Sequence, residues 1–276
     1  MHSRRELADG FRRLGVTAGD TVMVHASVRA VGAVAGGPDQ FHLALKDALT
    51  PDGTLIMYAG CPAYTDEVGR GHLTQDQERE LLEKFPAFDP FTARSQRENG
   101  TLVEFLRTYP GSTVNPHVTR FVVWGKRAGE LVSNQPWNYA FGYGSVLDRF
   151  VNLAGRILLL GCDHDNVTFL HYAEHIVDIT AKRVAKFKVP VEENGTRVWR
   201  EMEEFDSSGA GAHANWPERF FARLVDTYLR QTGNSGDQVG YARAFLLDSR
   251  GLLAFSLGVM KALATDARTA MTLLDA

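Results

Sequence analysis

The chain has 276 residues, 44% of them apolar and 23% charged, with a net charge of −3. That length suits one large domain or two small ones, and the balance is ordinary for a globular protein. With no basic excess it is not expected to bind nucleic acid, and with no apolar run near ~18 residues it is not expected to span a membrane. Residues 1–6 carry positive charge with no apolar stretch behind it, so no secretory leader is read and a cytoplasmic location is expected. Cys61 and Cys162 each follow a glycine that ends an apolar run, and both are expected to be reduced thiols.

Leu7, Phe11 and Leu14 mark an amphipathic first helix, stopped by Gly15. Residues 21–25 read as a strand that runs into a small-residue turn at 26–32. Gly36-Gly37-Pro38 opens a helix with Phe41, Leu45 and Ala48 inward, and 54–59 is the next strand. This is a βαβ unit, which predicts parallel pairing. Residues 60–97 form a long polar excursion with one helix over 75–84, the kind of segment that usually carries function. A helix from 99 to 109, a strand over 121–124, a Trp/Tyr/Gly-rich loop over 134–144 and a helix capped by Ser145 follow.

Residues 156–175 hold the densest chemistry. Ile157 to Leu160 read as a buried strand ended by Gly161, and Asp165 or Asn166 then caps a helix from about Val167. On that helix Thr168, His171 and His175 share one face, flanked by Glu174. Further on, 183–191 and 196–205 meet at Glu193-Asn194-Gly195, a hairpin signal. Asn215-Trp216-Pro217 leads a helix with Phe220, Leu224 and Tyr228 inward, and 242–247 with 252–256 reads as a second hairpin around Asp248-Ser249-Arg250-Gly251. A last helix closes the chain. The expected fold is α/β, a single domain over 1–276 with a mixed sheet layered by helices, a βα part followed by antiparallel hairpins.

Three constellations carry chemistry. His171-x-x-Glu174-His175 fits an inverted zinc-hydrolase pattern, with Glu192, Glu193 or His213 as guesses for a third ligand. Ser27, in the turn His25-Ala26-Ser27-Val28-Arg29, reads as a nucleophile with His171 as base and Asp206 as orienter, although no G-x-S-x-G elbow surrounds it. The same turn gathers backbone N–H groups suited to phosphate or an oxyanion. Glu204 and Asp206 lie on one face of a strand, and a histidine facing them would be held in one tautomer.

Four segments, in this order, resemble the aminoglycoside 3-N-acetyltransferase family, which is distinct from the GNAT fold. They are residues 14–32 (L-G-V-x-x-G-D-x-x-x-V-H-x-S-x-x-x-x-G), Phe88-Asp89-Pro90-x-Thr92-Ala93, the run from Gly161 to Glu174, and Glu204-Phe205-Asp206. The resemblance covers residues 4–259. It implies acetyl transfer from acetyl-CoA to the 3-amino group of a 2-deoxystreptamine aminoglycoside, an antibiotic-resistance activity. It also implies that His171 is the catalytic base, Asp206 its carboxylate partner with Glu204 adjacent, and that the 25–29 turn holds CoA. Glu174 matches a family glutamate. A segment expected to contribute CoA contacts departs from the pattern: it reads Ser112-Thr113-Val114-Asn115-Pro116-His117, with Asn115 where a histidine is usual, so Thr113, Asn115 and His117 are its candidates.

The chemistry agrees. A base titrating near neutrality is needed to deprotonate the attacking amine, and histidine supplies one. The 25–29 turn or Thr168 can donate to the thioester oxyanion. A polycationic substrate calls for acids, and Asp66, Glu67, Asp89, Asp163, Asp165, Glu204 and Asp206 are available. The expectation is direct transfer with no acyl-enzyme and no metal. Transfer to a different amine, a zinc hydrolase using His171, Glu174 and His175, and a non-catalytic small-molecule binder are the alternatives. Homo-oligomerisation stays open.

Overall fold

The computed structural model describes residues 1–180, 182–206 and 216–275. Among them, a seven-stranded mixed sheet runs in the order β3 (Ser112–Val114), β4 (Arg120–Gly125), β2 (Thr54–Gly60), β1 (Thr21–Ala26), β5 (Arg156–Leu160), β9 (Ala242–Asp248), β8 (Asp237–Val239). Only the three central strands are parallel: β1 pairs parallel with β2 on one side and with β5 on the other. The outer pairs β2–β4, β3–β4, β5–β9 and β8–β9 are antiparallel.

The central strands are mostly apolar because both faces are covered. Ile157 and Leu159 enter one core, and Leu158 and Leu160 enter the other. Met23 and Ile56 follow the first pair; Val22, Val24, Leu55 and Met57 follow the second. One face is covered by α1 (Arg4–Leu14), α2 (Val28–Val31), α3 (Asp39–Leu49) and α5 (Thr101–Thr108). The other is covered by α6 (Ala128–Val132), α7 (Val146–Asn152), α8 (Leu170–Ile176), α9 (Phe220–Gln231), α10 (Ser249–Thr265) and α11 (Ala267–Asp275). Each fully buried Leu or Ile contributes about 2 kcal/mol of transfer free energy.

The first predicted hairpin forms as a separate two-stranded ribbon, β6 (Val184–Glu193) with β7 (Thr196–Phe205). Asn194 and Gly195 both take positive φ, 52° and 76°, as a two-residue hairpin turn demands. Its inner face, with Ala185, Phe187, Val189 and Met202, closes a third small core together with Tyr64, Val68, Leu82 and Val118; Leu82 comes from α4 (Gln75–Lys84).

The second predicted hairpin does not form. Residues 252–256 lie inside α10, and Asp248 is its N-cap, accepting a hydrogen bond from the Gly251 N–H at 2.6 Å. Leu252, Ser256, Val259, Met260 and Leu263 are buried at helical spacing. The helix after β5 also starts later than expected. Asp163 caps a short turn over His164–Asn166, accepting from the Asp165 N–H at 2.9 Å, and α8 begins only at Leu170. Asn215, expected to lead α9, lies outside the described residues.

Candidate active site

In a doubly covered sheet of this kind, ligands bind beyond the carboxyl ends of the parallel strands, where the strand order reverses. Here that point lies between β1 and β5. Gly161 makes the junction tight: its φ is +57°, and a Cβ there would come within 2.5 Å of the Ala30 Cβ. A cavity of about 640 Å³ opens beyond these strand ends. It is lined by His25, Ala26 and Ser27 from the end of β1, and by Cys162, Asp163, Asp165, Asn166, Thr168 and His171 after β5. Tyr58, Asp66, Gln96, Glu98 and Asn99 close the far side. A smaller cavity of about 160 Å³ also meets His171 and is lined by Arg70, Phe141, His175 and Glu204. Tyr58, Asp66 and His171 line both.

His171 sits in the first turn of α8. Its Nδ1 lies 2.5 Å from Glu174 Oε2, one turn along the same helix. A carboxylate accepts, so Nδ1 carries the hydrogen and Nε2 keeps its lone pair. Phe141 and Phe221 hold the ring from two sides, at centroid distances of 5.1 and 5.0 Å. Burial disfavours a charged imidazole here, but the charge and hydrogen bond of Glu174, helped by the charge of Glu204, hold the pKa of His171 above its ordinary 6.5.

Asp206 is not the carboxylate bound to His171. It is fully buried and takes Arg70 Nη1 at 2.7 Å, with Arg183 Nε at 3.4 Å. Glu204 bonds His175 Nε2 and accepts the Ala140 N–H at 2.8 Å. The zinc arrangement is disfavoured for a related reason: both ring nitrogens of His175 are engaged, Nε2 by Glu204 and Nδ1 by the His171 carbonyl at 2.7 Å. Glu192 and Glu193 lie at the tip of the ribbon, with Glu193 held by Arg200 at 2.6 Å. His213 lies outside the described residues.

Of the 25–29 turn, His25, Ala26 and Ser27 line the cavity. Val28 packs into a core and Arg29 is exposed. The Ser27 hydroxyl accepts the Ala30 N–H at 3.3 Å and so caps α2. Burial pushes His25 down to about 4, which keeps it neutral at pH 7.

Thr113, Asn115 and His117 do not line the cavity among the described residues. Asn115 is a turn pin, giving its Nδ2–H to the Thr119 carbonyl at 2.8 Å and accepting the Phe121 N–H at 2.6 Å. His117 accepts the Thr119 N–H at 2.9 Å, and burial lowers it to about 4. Thr113 sits in β3, paired with Val123.

Among the acids, Asp66, Asp163 and Asp165 reach the large cavity, as does Thr168. Asp163 is paired with Arg219 at 2.5 Å, and Asp165 accepts the Ala222 N–H at 3.0 Å. Glu67 is exposed outside both cavities, and Asp89 closes its own turn, accepting from the Phe91 N–H at 2.9 Å and the Thr92 hydroxyl at 2.5 Å. The sequence reading missed Tyr58, Gln96, Asn99 and Arg70. Arg70 and Gln96 come from the long excursion, and Asn99 from the short turn over Arg97–Asn99 that follows it.

The sequence profile of the aminoglycoside 3-N-acetyltransferase family matches residues 23–261. The chain belongs to this family. It is thus an enzyme of the acetyltransferase class, as the four-segment resemblance implied. The aminoglycoside N(3)-acetyltransferase III of Pseudomonas aeruginosa is 38% identical over 258 residues, covering 93% of this chain and 92% of that one. Among solved structures, AAC-IIIb in a binary complex with CoASH superposes with a TM-score of 0.87 at 35% identity, covering 96% of this chain and 98% of that one. Sisomicin-bound AAC-VIa gives the same TM-score at 32% identity, covering 96% and 99%. The aminoglycoside 3-N-acetyltransferase frame therefore extends over nearly the whole chain.

Proposed function

We propose that this chain transfers acetyl from acetyl-CoA to the 3-amino group of 2-deoxystreptamine aminoglycosides, directly and with His171 as general base. The observation that carries the reading is the contact at His171: with a carboxylate on Nδ1, Nε2 is the atom left to receive a proton. His171 lines both cavities, so a base stands where two substrates can meet. Relatives bound to CoASH and to sisomicin support the two substrate classes.

In the reaction the amine nitrogen forms a bond to the acetyl carbon and gives its proton to His171 Nε2. The carbon–sulfur bond breaks, and the sulfur leaves with a proton as free CoA thiol. Glu174 steadies the imidazolium that forms between these events. His25, Ala26 and Ser27 form the wall assigned to the thioester, and Asp66, Asp163 and Asp165 are the acids assigned to substrate ammonium groups.

A thiol-release assay over a panel of amines, with the product mapped by NMR, tests this. Release of CoA thiol with 2-deoxystreptamine aminoglycosides and acetylation at the 3-amino group is expected. Turnover only with other amines, or a trapped acetyl-Ser27, would overturn the reading.

A further inference from the structure

The proposed chemistry uses His171 and Glu174 and leaves His175 without a task. The side chain of His175 is buried, 9% exposed for the whole residue, and so is that of Glu204, 8% exposed. Neither belongs in a core without a partner. Their hydrogen bonds fix a proton count. His175 Nδ1 lies 2.7 Å from the His171 carbonyl, which only accepts, so Nδ1 carries a hydrogen. His175 Nε2 faces Glu204 Oε1. Two bare acceptors do not face each other in a buried contact, so one further proton lies between them, whichever atom holds it. The other Glu204 oxygen is taken by the Ala140 N–H at 2.8 Å, and Oε1 also receives the Phe205 N–H at 3.1 Å.

This chain of bonds ends on the backbone of His171 itself. It starts on β7 and on the 134–144 loop, passes through one shared proton, and arrives at the carbonyl of the residue assigned as base. Phe141 completes the link by touching both imidazoles, at 5.1 Å from His171 and 5.7 Å from His175. We propose that His175 and Glu204 are a positioning pair for His171, holding one proton between them and fixing where the His171 ring stands relative to the ribbon. This rests on His171 being the base. Neither residue of the pair gains or loses a proton in turnover. Their work is to keep Nε2 of His171 within reach of the amine, where a displacement of about 1 Å is worth up to ~10²-fold in rate.

The experiment is heteronuclear NMR of the histidine side chains in the full-length protein without substrates, followed by steady-state kinetics of conservative variants. Both ring nitrogens of His175 should show attached protons, and the Nε2 proton should vanish in Glu204→Gln. Glu204→Gln should lower kcat about 10- to 100-fold, with KM for either substrate changed less than about twofold. His175→Asn, which keeps a donor for the His171 carbonyl, should retain more activity than His175→Leu of similar bulk. An unprotonated His175 Nε2 together with an ionised Glu204, read from its carboxyl carbon shift in the parent protein, would overturn the shared proton. Loss of that proton in Glu204→Gln with kcat unchanged would overturn positioning and leave the pair as a helix strut. If His171→Asn is fully active, the base assignment fails instead, and the His175 spectrum is unaffected by that outcome.

Discussion

At the scale of single residues, the decisive contact is the one between His171 and Glu174. His171→Asn should cost about 10²- to 10⁴-fold in turnover, the range for a lost general base, with acetyl-CoA affinity by calorimetry little changed. In the parent protein kcat/KM should rise with pH through a value above 6.5, because Glu174 and Glu204 outweigh burial at His171. Glu174→Gln removes the carboxylate with the larger effect on His171 and leaves the burial, so the acidic limb should move to lower pH. A pH–rate profile of the two proteins checks this, and an unmoved limb would detach Glu174 from the base. The same raised pKa favours the folded state most below about 6.5 and fades as pH rises through the folded value. The sequence names both His171 and Glu174 but pairs His171 with Asp206, although i and i+3 on a helix are neighbours. Asp206 was misplaced because strand alternation gives a face but not the group opposite. That group, Arg70, arrives from 136 residues earlier in the chain.

At the scale of elements, the same residue types serve different ends, and local pattern alone does not separate them. Asp-Ser-Arg-Gly suits a β-turn and suits a helix N-cap equally well. What decides is the spacing of buried residues after it, which follows α10. Asp248→Ala should therefore lower stability by about 1 kcal/mol in urea unfolding, the usual loss of a capping bond. The apolar central strands were legible for the opposite reason: four consecutive buried residues leave few alternatives. Edge strands of three residues, β3 and β8, carry too little pattern to be read. The Phe88-Asp89-Pro90 stretch, read through its acid, is held by a cation. Arg120 is 1% exposed and gives its guanidinium hydrogens to the carbonyls of Pro90, Ala93 and Arg94 at 3.2, 2.5 and 2.6 Å. This anchors the loop that delivers Gln96 and Asn99 to the large cavity. Arg120→Met should cost about 3 kcal/mol, since it leaves buried acceptors without donors. It should also raise KM in the thiol-release assay.

At the scale of the whole molecule, a net charge of −3 says little, but its placement says more. Asp66, Glu98, Asp163 and Asp165 all border the large cavity. A polycation should be drawn to that rim, and salt should weaken the attraction. Raising ionic strength from ~0.01 to ~0.1 M shortens the screening length from about 30 to about 10 Å. KM for an aminoglycoside should then rise severalfold while kcat holds. A salt-independent KM would remove the acids from substrate capture. Turnover should also survive chelation in full, because the histidine nearest His171 has no free ring nitrogen.

The alternation along β5 bears on how such a chain can drift. Ile157 and Leu159 fill one core, Leu158 and Leu160 the other, and the strand then delivers Gly161 to a spot with no room for a side chain. Exchanges among Val, Ile and Leu keep both faces filled. Inserting or deleting one residue exchanges the faces and carries the glycine off its contact with Ala30. Length is therefore guarded more strictly than identity in this strand. Length polymorphism among descendants of this chain should gather in the exposed turn around Gly71 and at the ribbon tip, and should spare 156–161.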